Sequence, residues 1–322
     1  MPPLPNVAGY DLLRPLGGGP LTEVFAARRH ADDRPCAVKL PRDEWPGHPT
    51  AVQLLRRECR ALSSVRHPHV VRLLDAHVAE PPFFLVFEFL EGESVRDRLQ
   101  RDYALDLRTA AWIGRQMAEA LAAVHRAGFI HGDVKPDNVR LLDAGTAVLV
   151  DLGFAHRPGE NGVFAEEGYI LGTANYLAPE LAGDRPQDGF AADWFSFGMV
   201  LIEMLTGALP PIGGMDGFSP EGAVDSSPRR KPWVSGPPPN PSPVGATQSV
   251  APTGLQIFSP SATQGLRPGL LSAAPPGLTQ KRLEALLAGL LARQPKGRPA
   301  DALVVHELIA LEIAALGRGR AA

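Results

Sequence analysis

His131-Gly132-Asp133-Val134-Lys135-Pro136-Asp137-Asn138 follows a long apolar helical pattern and sets an acid, an ammonium and a carboxamide close together in the chain. A carboxylate at Asp133 can take a proton from an attacking hydroxyl, and Lys135 can neutralise charge developing on a phosphoryl group. Asn138 can offer an amide oxygen to Mg²⁺. Pro136 cannot continue a helix or a ladder, which places the group on a loop. A polar turn between a helix and a strand has a similar composition, so the octet alone leaves that alternative open.

Two further charged groups stand in settings that could serve the same chemistry. Lys39 lies in the apolar run Pro35-Cys36-Ala37-Val38-Lys39-Leu40, and Glu58 lies on a helical pattern from Ala51 to Val65, on a turn that could face it. Each taken separately reads as well as a solvated charge. Asp151-Leu152-Gly153 is delivered at the end of a predicted hairpin, Val139 to Leu142 and Ala147 to Val150, turning at Asp143-Ala144-Gly145-Thr146. Nearer the N-terminus, Tyr10 to Leu16 and Thr22 to Arg28 flank Gly17-Gly18-Gly19, a hairpin whose tip lacks Cβ atoms and can bring backbone N–H groups close to phosphates.

Those residues need scaffolds. Val70 to Ala76 and Phe83 to Phe89 are expected as two more strands, separated from the helix by His67-Pro68. Five strands and one helix make a small antiparallel lobe. Ser94 to Gln100 and Leu107 to Ala127 then show helical spacing, the second closed by Gly128. Arg157 to Tyr169 lacks periodicity and is expected as a loop, while Trp194 to Leu205, Gln280 to Arg293 and Ala302 to Leu316 are expected as helices.

The chain of 322 residues is long enough for two packed lobes, and 44% hydrophobic with 21% charged residues supports a sizeable core. A net charge of -3 gives no excess of cations to meet the phosphates of a nucleic acid or an anionic membrane surface. Cys36 and Cys59 form no disulfide framework, and such scarcity fits a reducing compartment. Met1 to Gly9 has no basic stretch followed by an apolar run, so no secretory signal is expected. No window approaches the roughly 18 apolar residues of a spanning helix. A soluble, cytoplasmic protein is the expectation.

Between Pro210 and Pro276 lie nearly half of the chain's 33 prolines, mixed with Gly, Ser and Thr. Such a segment buries too little apolar surface to offset its ordering entropy, so a disordered insertion over about 213–265 is expected. It holds Pro237-Pro238-Pro239-Asn240-Pro241, able to dock on a partner as a polyproline II ligand, and Ser-Pro pairs at Ser219, Ser227, Ser242 and Ser259. A solvated linker is the simpler reading of all of them.

In order along the chain stand Gly17-x-Gly19-x-x-Thr22-x-Val24, Ala37-Val38-Lys39, Glu58, the loop from Asp133 to Asn138, and Asp151-Leu152-Gly153. Ala178-Pro179-Glu180, Asp193-x-x-Ser196-x-Gly198 and Arg298-Pro299 follow. The series resembles the protein kinase family, bacterial serine/threonine kinases in particular, from about Tyr10 to Leu316 with only the Pro-rich segment interrupting. The resemblance implies an α+β, bilobal kinase-like fold, with a small antiparallel β lobe carrying one helix and a larger, mainly helical lobe. The organisation implied is an N-terminal extension over 1–9, an ATP-binding lobe over 10–89, and a catalytic and substrate-binding lobe over 90–322.

The reaction implied is transfer of the γ-phosphoryl of ATP to Ser or Thr hydroxyls of a protein, with Mg²⁺ as the metal and Mn²⁺ as a workable substitute. By resemblance, Lys39 holds the α and β phosphates and is held by Glu58. Asp151 binds Mg²⁺, Asn138 binds a second metal ion, and Asp133 orients and deprotonates the acceptor. Gly17, Gly18 and Gly19 cover the phosphates, Val24 and Ala37 sandwich adenine, and Glu88 and Leu90 offer backbone hydrogen bonds at the hinge after Phe87. Glu180 pairs with Arg298 as a structural brace. Lys135, two residues beyond the acid, marks Ser/Thr rather than Tyr specificity, with Thr173 expected beside it.

The chain departs from the family pattern in several places. Thr22 replaces the third loop glycine, and Pro20 with Leu21 occupies the tip. Leu152 replaces a phenylalanine but keeps an apolar group. Arg140 stands where an aliphatic residue usually floors the adenine, its stem able to serve with the guanidinium directed to water. Gly132 replaces a common arginine, and His-Gly-Asp is also the usual form in small-molecule phosphotransferases of the aminoglycoside kinase type, which supplies a rival reading. A pseudokinase scaffold, recruiting partners through the Pro-rich segment, is the third. Without an arginine before Asp133, activity is expected not to depend on phosphorylation of the segment from Asp151 to Glu180.

Overall fold

The computed structural model describes residues 4–42, 46–161, 169–182, 189–209, 231–232 and 278–316. Two compact units are present, Met1–Gln100 with Gln116–Pro158, and Arg101–Arg115 with Gly159–Ala322.

The first unit is built on an antiparallel sheet of β1 (Tyr10–Gly18), β2 (Thr22–Arg29), β3 (Pro35–Pro41), β4 (Leu73–His77) and β5 (Phe84–Glu88), in the order β1-β2-β3-β5-β4. The register pairs Val24 with Lys39, Ala26 with Ala37, Ala37 with Phe87 and Lys39 with Leu85. Because side chains alternate along a strand, those residues share one face. Phe25, Ala27, Cys36, Val38, Leu40, Phe84 and Val86 take the other and form a core cluster, which Tyr10 and Val7 complete. Val7, within the expected N-terminal extension, is therefore part of the core.

Helix α1 (Pro49–Ser64) starts with Pro49 in its first turn, where a missing N–H costs nothing, and with Thr50 N donating to His48 Nδ1. It buries Ala51, Val52, Leu55, Glu58, Ala61 and Leu62, a stripe at helical spacing that places Glu58 on the packed face. Beyond it the strand begins later than expected. Val71 N donates to Leu149 O and Leu149 N to His69 O, so the chain around Val70 joins another strand before β4 starts at Leu73.

That other strand belongs to a second, three-stranded sheet of β6 (Gly92–Ser94), β7 (Val139–Leu142) and β8 (Ala147–Leu149). The hairpin β7–β8 was expected; β6 was not, being too short for its alternation to be read. Helix α2 (Val95–Asp102) follows β6 directly, capped by Ser94, whose hydroxyl accepts from Asp97 N while Asp97 accepts from Ser94 N. Helix α3 (Leu107–Arg126) ends at Gly128, whose φ of +84 lets Phe129 N return to Val124 O.

The second unit is mainly helical. Its centre is α5 (Phe190–Thr206), apolar on nearly all sides and buried from Ala192 to Val200 save Ser196; the short helix α4 (Pro179–Ala182) precedes it. Helices α6 (Leu278–Leu290) and α7 (Asp301–Leu316) complete the unit. A Cβ on Gly198 would come within 2.9 Å of Leu290 Cβ, so the glycine of the Asp-x-x-Ser-x-Gly motif is what lets α5 and α6 close. Strand β9 (Tyr169–Ile170) pairs in parallel with β10 (Lys231–Pro232). Apart from those two residues, the Pro-rich insertion, with Pro237 to Pro241 and the four Ser-Pro pairs, lies outside the described residues. Among the described residues no helix is long and apolar enough to cross a membrane.

Candidate active site

The shared face of β2 and β3 brings Val24, Ala37 and Lys39 together, and α1 supplies the counter-charge. Lys39 Nζ lies 2.7 Å from Glu58 Oε2 and 2.6 Å from Asp151 Oδ1. Glu58 Oε1 accepts from Leu152 N at 3.1 Å, so one buried carboxylate holds both the lysine and the backbone of the Asp-Leu-Gly motif. Leu152 is fully buried, filling the packing position expected of it.

Burial works against the charge on Lys39, but Asp151 and Glu58 more than offset it and hold the ammonium above the usual lysine range. Burial pushes Glu58 up, because the attraction of Lys39 only partly compensates and Asp151 adds repulsion. Burial also opposes ionisation of Asp151, yet Lys39 outweighs it and draws that carboxyl down to about 2. At neutral pH Asp151 is an anion beside a cation, with 41% of its side chain open to solvent. Its Oδ1 takes Lys39 and Gly153 N, while Oδ2 carries no hydrogen bond among the described residues. Asp151 adopts φ +59, a left-handed conformation uncommon for a residue with a Cβ. A Cβ on Gly153 would sit 3.1 Å from Asp151 Oδ1, so the motif's glycine keeps that oxygen accessible.

The octet folds into a loop ending in the 3-10 turn Pro136–Asn138. Asp133 Oδ2 receives Lys135 Nζ at 2.7 Å and Asn138 Nδ2 at 3.1 Å, and Asn138 Nδ2 also donates to Asp133 O at 2.8 Å. Those two bonds fix the orientation of the Asn138 amide. Its oxygen is left as an acceptor with no donor among the described residues. Val150 N donates to Asn138 O at 2.9 Å, which ties the octet to the strand end that carries Asp151. The proximity of Lys39, Glu58 and Asp151, and of Asp133, Lys135 and Asn138, is therefore a feature of the first unit alone.

Gly132 is explained by its backbone. It adopts φ +78, and a Cβ there would meet Phe154 O at 3.1 Å and the His156 ring at 3.4 Å. The cross-bridge between Ile130 and His156, with Ile130 N to His156 O at 2.8 Å, presses those chain segments together.

At the other end of the site, Gly17 (φ +148) and Gly18 (φ +157) take conformations suited to glycine, and a Cβ on Gly18 would come within 2.4 Å of Thr22 O. Gly19 N donates to Thr22 O at 2.9 Å, a tight tip. Leu21 is buried, and its carbonyl accepts from Arg42 N, so the tip residue that departs from the family pattern anchors the loop. Glu88 N donates to Arg72 O at 3.1 Å, whereas Leu90 N has no partner among the described residues.

Arg140 corrects an expectation. Its guanidinium does not turn to water: Nη2 donates to Leu90 O at 3.4 Å and, at closer range, to Gly92 O. The carbonyls of Leu90, just before β6, and of Gly92, its first residue, give the side chain better partners than solvent. No sequence signal marked this contact, because β6 itself was not legible.

In the second unit, Arg298 Nη1 and Nη2 bind Glu180 Oε1 and Oε2 at 2.5 and 2.7 Å, the forked pair expected. Thr173 caps the 3-10 turn Ala174–Tyr176, and Tyr176 is buried with its hydroxyl 2.6 Å from Glu203 Oε2.

The family model described as protein kinase domain matches residues 10–309. The chain belongs to that family. It is 33% identical over 201 residues to a probable serine/threonine-protein kinase of Clostridium perfringens, covering 62% of this chain and 29% of the relative. To a serine/threonine-protein kinase of Myxococcus xanthus it is 36% identical over 212 residues, covering 62% and 25%. To the serine/threonine-protein kinase PrkC of Bacillus subtilis it is 29% identical over 204 residues, covering 62% and 31%. The chain thus spans less than a third of the length of each of these relatives.

Proposed function

We propose that the chain is an ATP-dependent protein kinase that phosphorylates Ser or Thr hydroxyls of protein substrates. The observation that carries this reading is the Glu58–Lys39–Asp151 chain of charges beside an acid held by Lys135 and Asn138. The relatives' names, all serine/threonine kinases, and Lys135 favour Ser/Thr over Tyr acceptors. We keep 10–89 as the ATP-binding lobe and 90–322 as the catalytic and substrate lobe. A reducing, ATP-supplied compartment, the cytoplasm, suits the reading.

The donor set fits the nucleotide and its metal. Asp151 Oδ2 and the Asn138 amide oxygen are hard oxygen ligands, few in number. Among the described residues no cluster of three or more His, Cys, Asp or Glu could hold a metal by itself. Mg²⁺ commonly takes one or two protein oxygens and completes its shell with phosphates and water, so this sparse set suits it, and Mn²⁺ can substitute. The Glu88 carbonyl and the Leu90 N–H match the amino donor and ring-nitrogen acceptor of adenine. Bound MgATP supplies the phosphoryl group and the positive charge that neutralises it. With MgATP bound, Lys39, braced by Glu58, would hold the α and β phosphates, and the backbone of Gly17 to Gly19 would cover them. Asp133, oriented by Asn138, takes the acceptor's proton, while Lys135 offsets charge on the transferring group.

The test is incubation of the purified chain with labelled ATP, Mg²⁺ and, in separate arms, a generic Ser/Thr protein acceptor or an aminoglycoside, beside an Asp133→Asn control. Label on protein in the wild type alone supports the reading. Label passing to a small alcohol or aminoglycoside instead would favour the small-molecule phosphotransferase, and no transfer by either chain would favour the scaffold.

Activation-segment phosphorylation is expected to be unnecessary. Gly132 offers no cation to a phosphate, Thr173 is the segment's only Ser or Thr, and Tyr176 is buried. Glu160, Glu166 and Glu167 add negative charge to the segment, although Glu166 and Glu167 lie outside the described residues, and Arg157 is its only Arg or Lys. Phosphatase-treated enzyme, shown unmodified by mass spectrometry, should keep its initial rate. Collapse of the rate, restored by phosphorylation of Thr173, would refute the expectation.

Deleting about residues 213–265 is expected to leave ATPase and acceptor activity intact, because loop closure entropy changes slowly with length. We read the segment as a solvated linker whose proline run could also dock a partner. Loss of soluble, active protein on deletion would show instead that it helps build the large lobe.

A further inference from the structure

The peptide between β5 and β6 carries Leu90 and is fixed at both ends. At Glu88 the backbone N–H donates to Arg72 O at 3.1 Å, and the side chain accepts from Arg72 N at 2.8 Å. At the far end, Gly92 adopts φ +145, and a Cβ there would lie 1.9 Å from Leu141 O. Backbone thus presses on backbone where β6 meets β7, and only glycine permits it.

Arg140 sits on β7 opposite Ser94, and its half-buried guanidinium reaches back along β6 to the carbonyls of Gly92 and Leu90. Glu93 on β6 and Asp97 on α2 are the acidic residues of the neighbouring elements. Neither carboxylate meets it as an ion pair: Asp97 is taken by Ser94, and Glu93 lies 3.7 Å from Arg98. The guanidinium is therefore partly stripped of water and held by two carbonyls. Solvating that charge requires those carbonyls to stay where they are, so the contact resists movement of the peptide. The same strand begins one residue after Asn138, which orients Asp133.

We infer that Arg140 is a positioning residue for the base of the nucleotide, clamping Leu90 and Gly92 onto β7 so that the Leu90 N–H is presented in a fixed place. The inference rests on the ATP-binding reading above. Because Lys39 and Asp151 hold the phosphates independently, loss of the clamp should weaken recognition of the base and leave the chemical step alone. Losing one charge-assisted hydrogen-bond pair of this kind corresponds to a weakening of about tenfold.

The experiment uses the full chain and Arg140→Met, which keeps the aliphatic stem, with Arg140→Lys as the conservative variant. Calorimetric titration with MgATP and, separately, with magnesium tripolyphosphate, which lacks the base, is paired with steady-state kinetics and hydrogen exchange at residues 89–92. In Arg140→Met, Kd and KM for ATP should rise about tenfold, with kcat within about twofold and tripolyphosphate affinity unchanged. The 89–92 amides should exchange faster, and Arg140→Lys should fall between the two proteins. Wild-type ATP affinity in Arg140→Met, or equal losses for ATP and tripolyphosphate, would overturn the inference. A wild-type chain that binds no ATP would overturn the kinase reading itself.

Discussion

Lys39→Met and Asp151→Asn each remove phosphoryl transfer, with kcat expected to fall by about a thousandfold or more, while the chain remains cooperatively folded. The magnitude follows from what a single preorganised charge contributes when aimed at a group whose charge is spread over oxygens. Lys39 is 5% exposed and touches two carboxylates, so its ammonium stands at a fixed place before any ligand binds. Methionine keeps an unbranched apolar side chain there without the charge. It also leaves Glu58 buried without its cation, and since burial already pushes Glu58 up, that carboxyl takes a proton rather than break the fold. Asp151→Asn keeps size and one acceptor but removes the anion a metal ion needs. Initial rates at saturating MgATP, with thermal melts to check folding, decide the matter. Activity within a few-fold of wild type in either variant would remove the catalytic assignment.

Glu180→Ala should act on stability instead. Arg298 is buried, its side chain at 0% exposure, and it spends its donors on Glu180, on Ala191 O at 2.8 Å and on Ala292 O at 3.0 Å. Its guanidinium also lies 5.1 Å from the centre of the Phe195 ring. Truncating Glu180 strands a cation that cannot be rehydrated, a change of about 3 kcal/mol. For a unit of this size that lowers Tm by roughly 6–12 °C. Removing the cation as well, in Glu180→Ala with Arg298→Leu, should recover part of the loss, because an apolar pair carries no desolvation cost. An unchanged melting temperature for Glu180→Ala would show that the pair contributes nothing to the second unit.

Much of the site was legible because phosphoryl transfer chemistry restricts residue type. An acid, a lysine and a carboxamide on a proline-broken loop, an aspartate before glycine at a hairpin end, and a lysine alone in an apolar strand are each unusual. Their order along the chain carried the resemblance to the kinase family. Strong periodicity was equally readable: Leu107 to Ala127 and Ala302 to Leu316 became helices within a residue or two of the expected bounds, and β1, β2, β3 and β5 appeared where alternation and glycine punctuation put them. The start of β4 was misread, since the apolar residues Val70 and Val71 bury themselves against Leu149 rather than in the first sheet.

Taken by itself, the sequence determined which groups this protein has for chemistry, and in which order the strands and helices bearing them occur. Residue type and local spacing are properties of the chain, and apolar periodicity is enforced wherever a face is buried. Only the tertiary structure decided which groups share a hydrogen bond. Asp151 approaches Lys39 across 112 positions, and Leu152 N finds Glu58 across 94, separations over which no local pattern carries information. It likewise decided that Gly132 takes a left-handed conformation beside Phe154 O, that Gly92 is required by Leu141 O, and that Arg140 binds the carbonyls of Leu90 and Gly92 instead of facing water. Each depends on chain segments brought together from distant parts of the sequence, and fit of that kind exists only once the chain has folded.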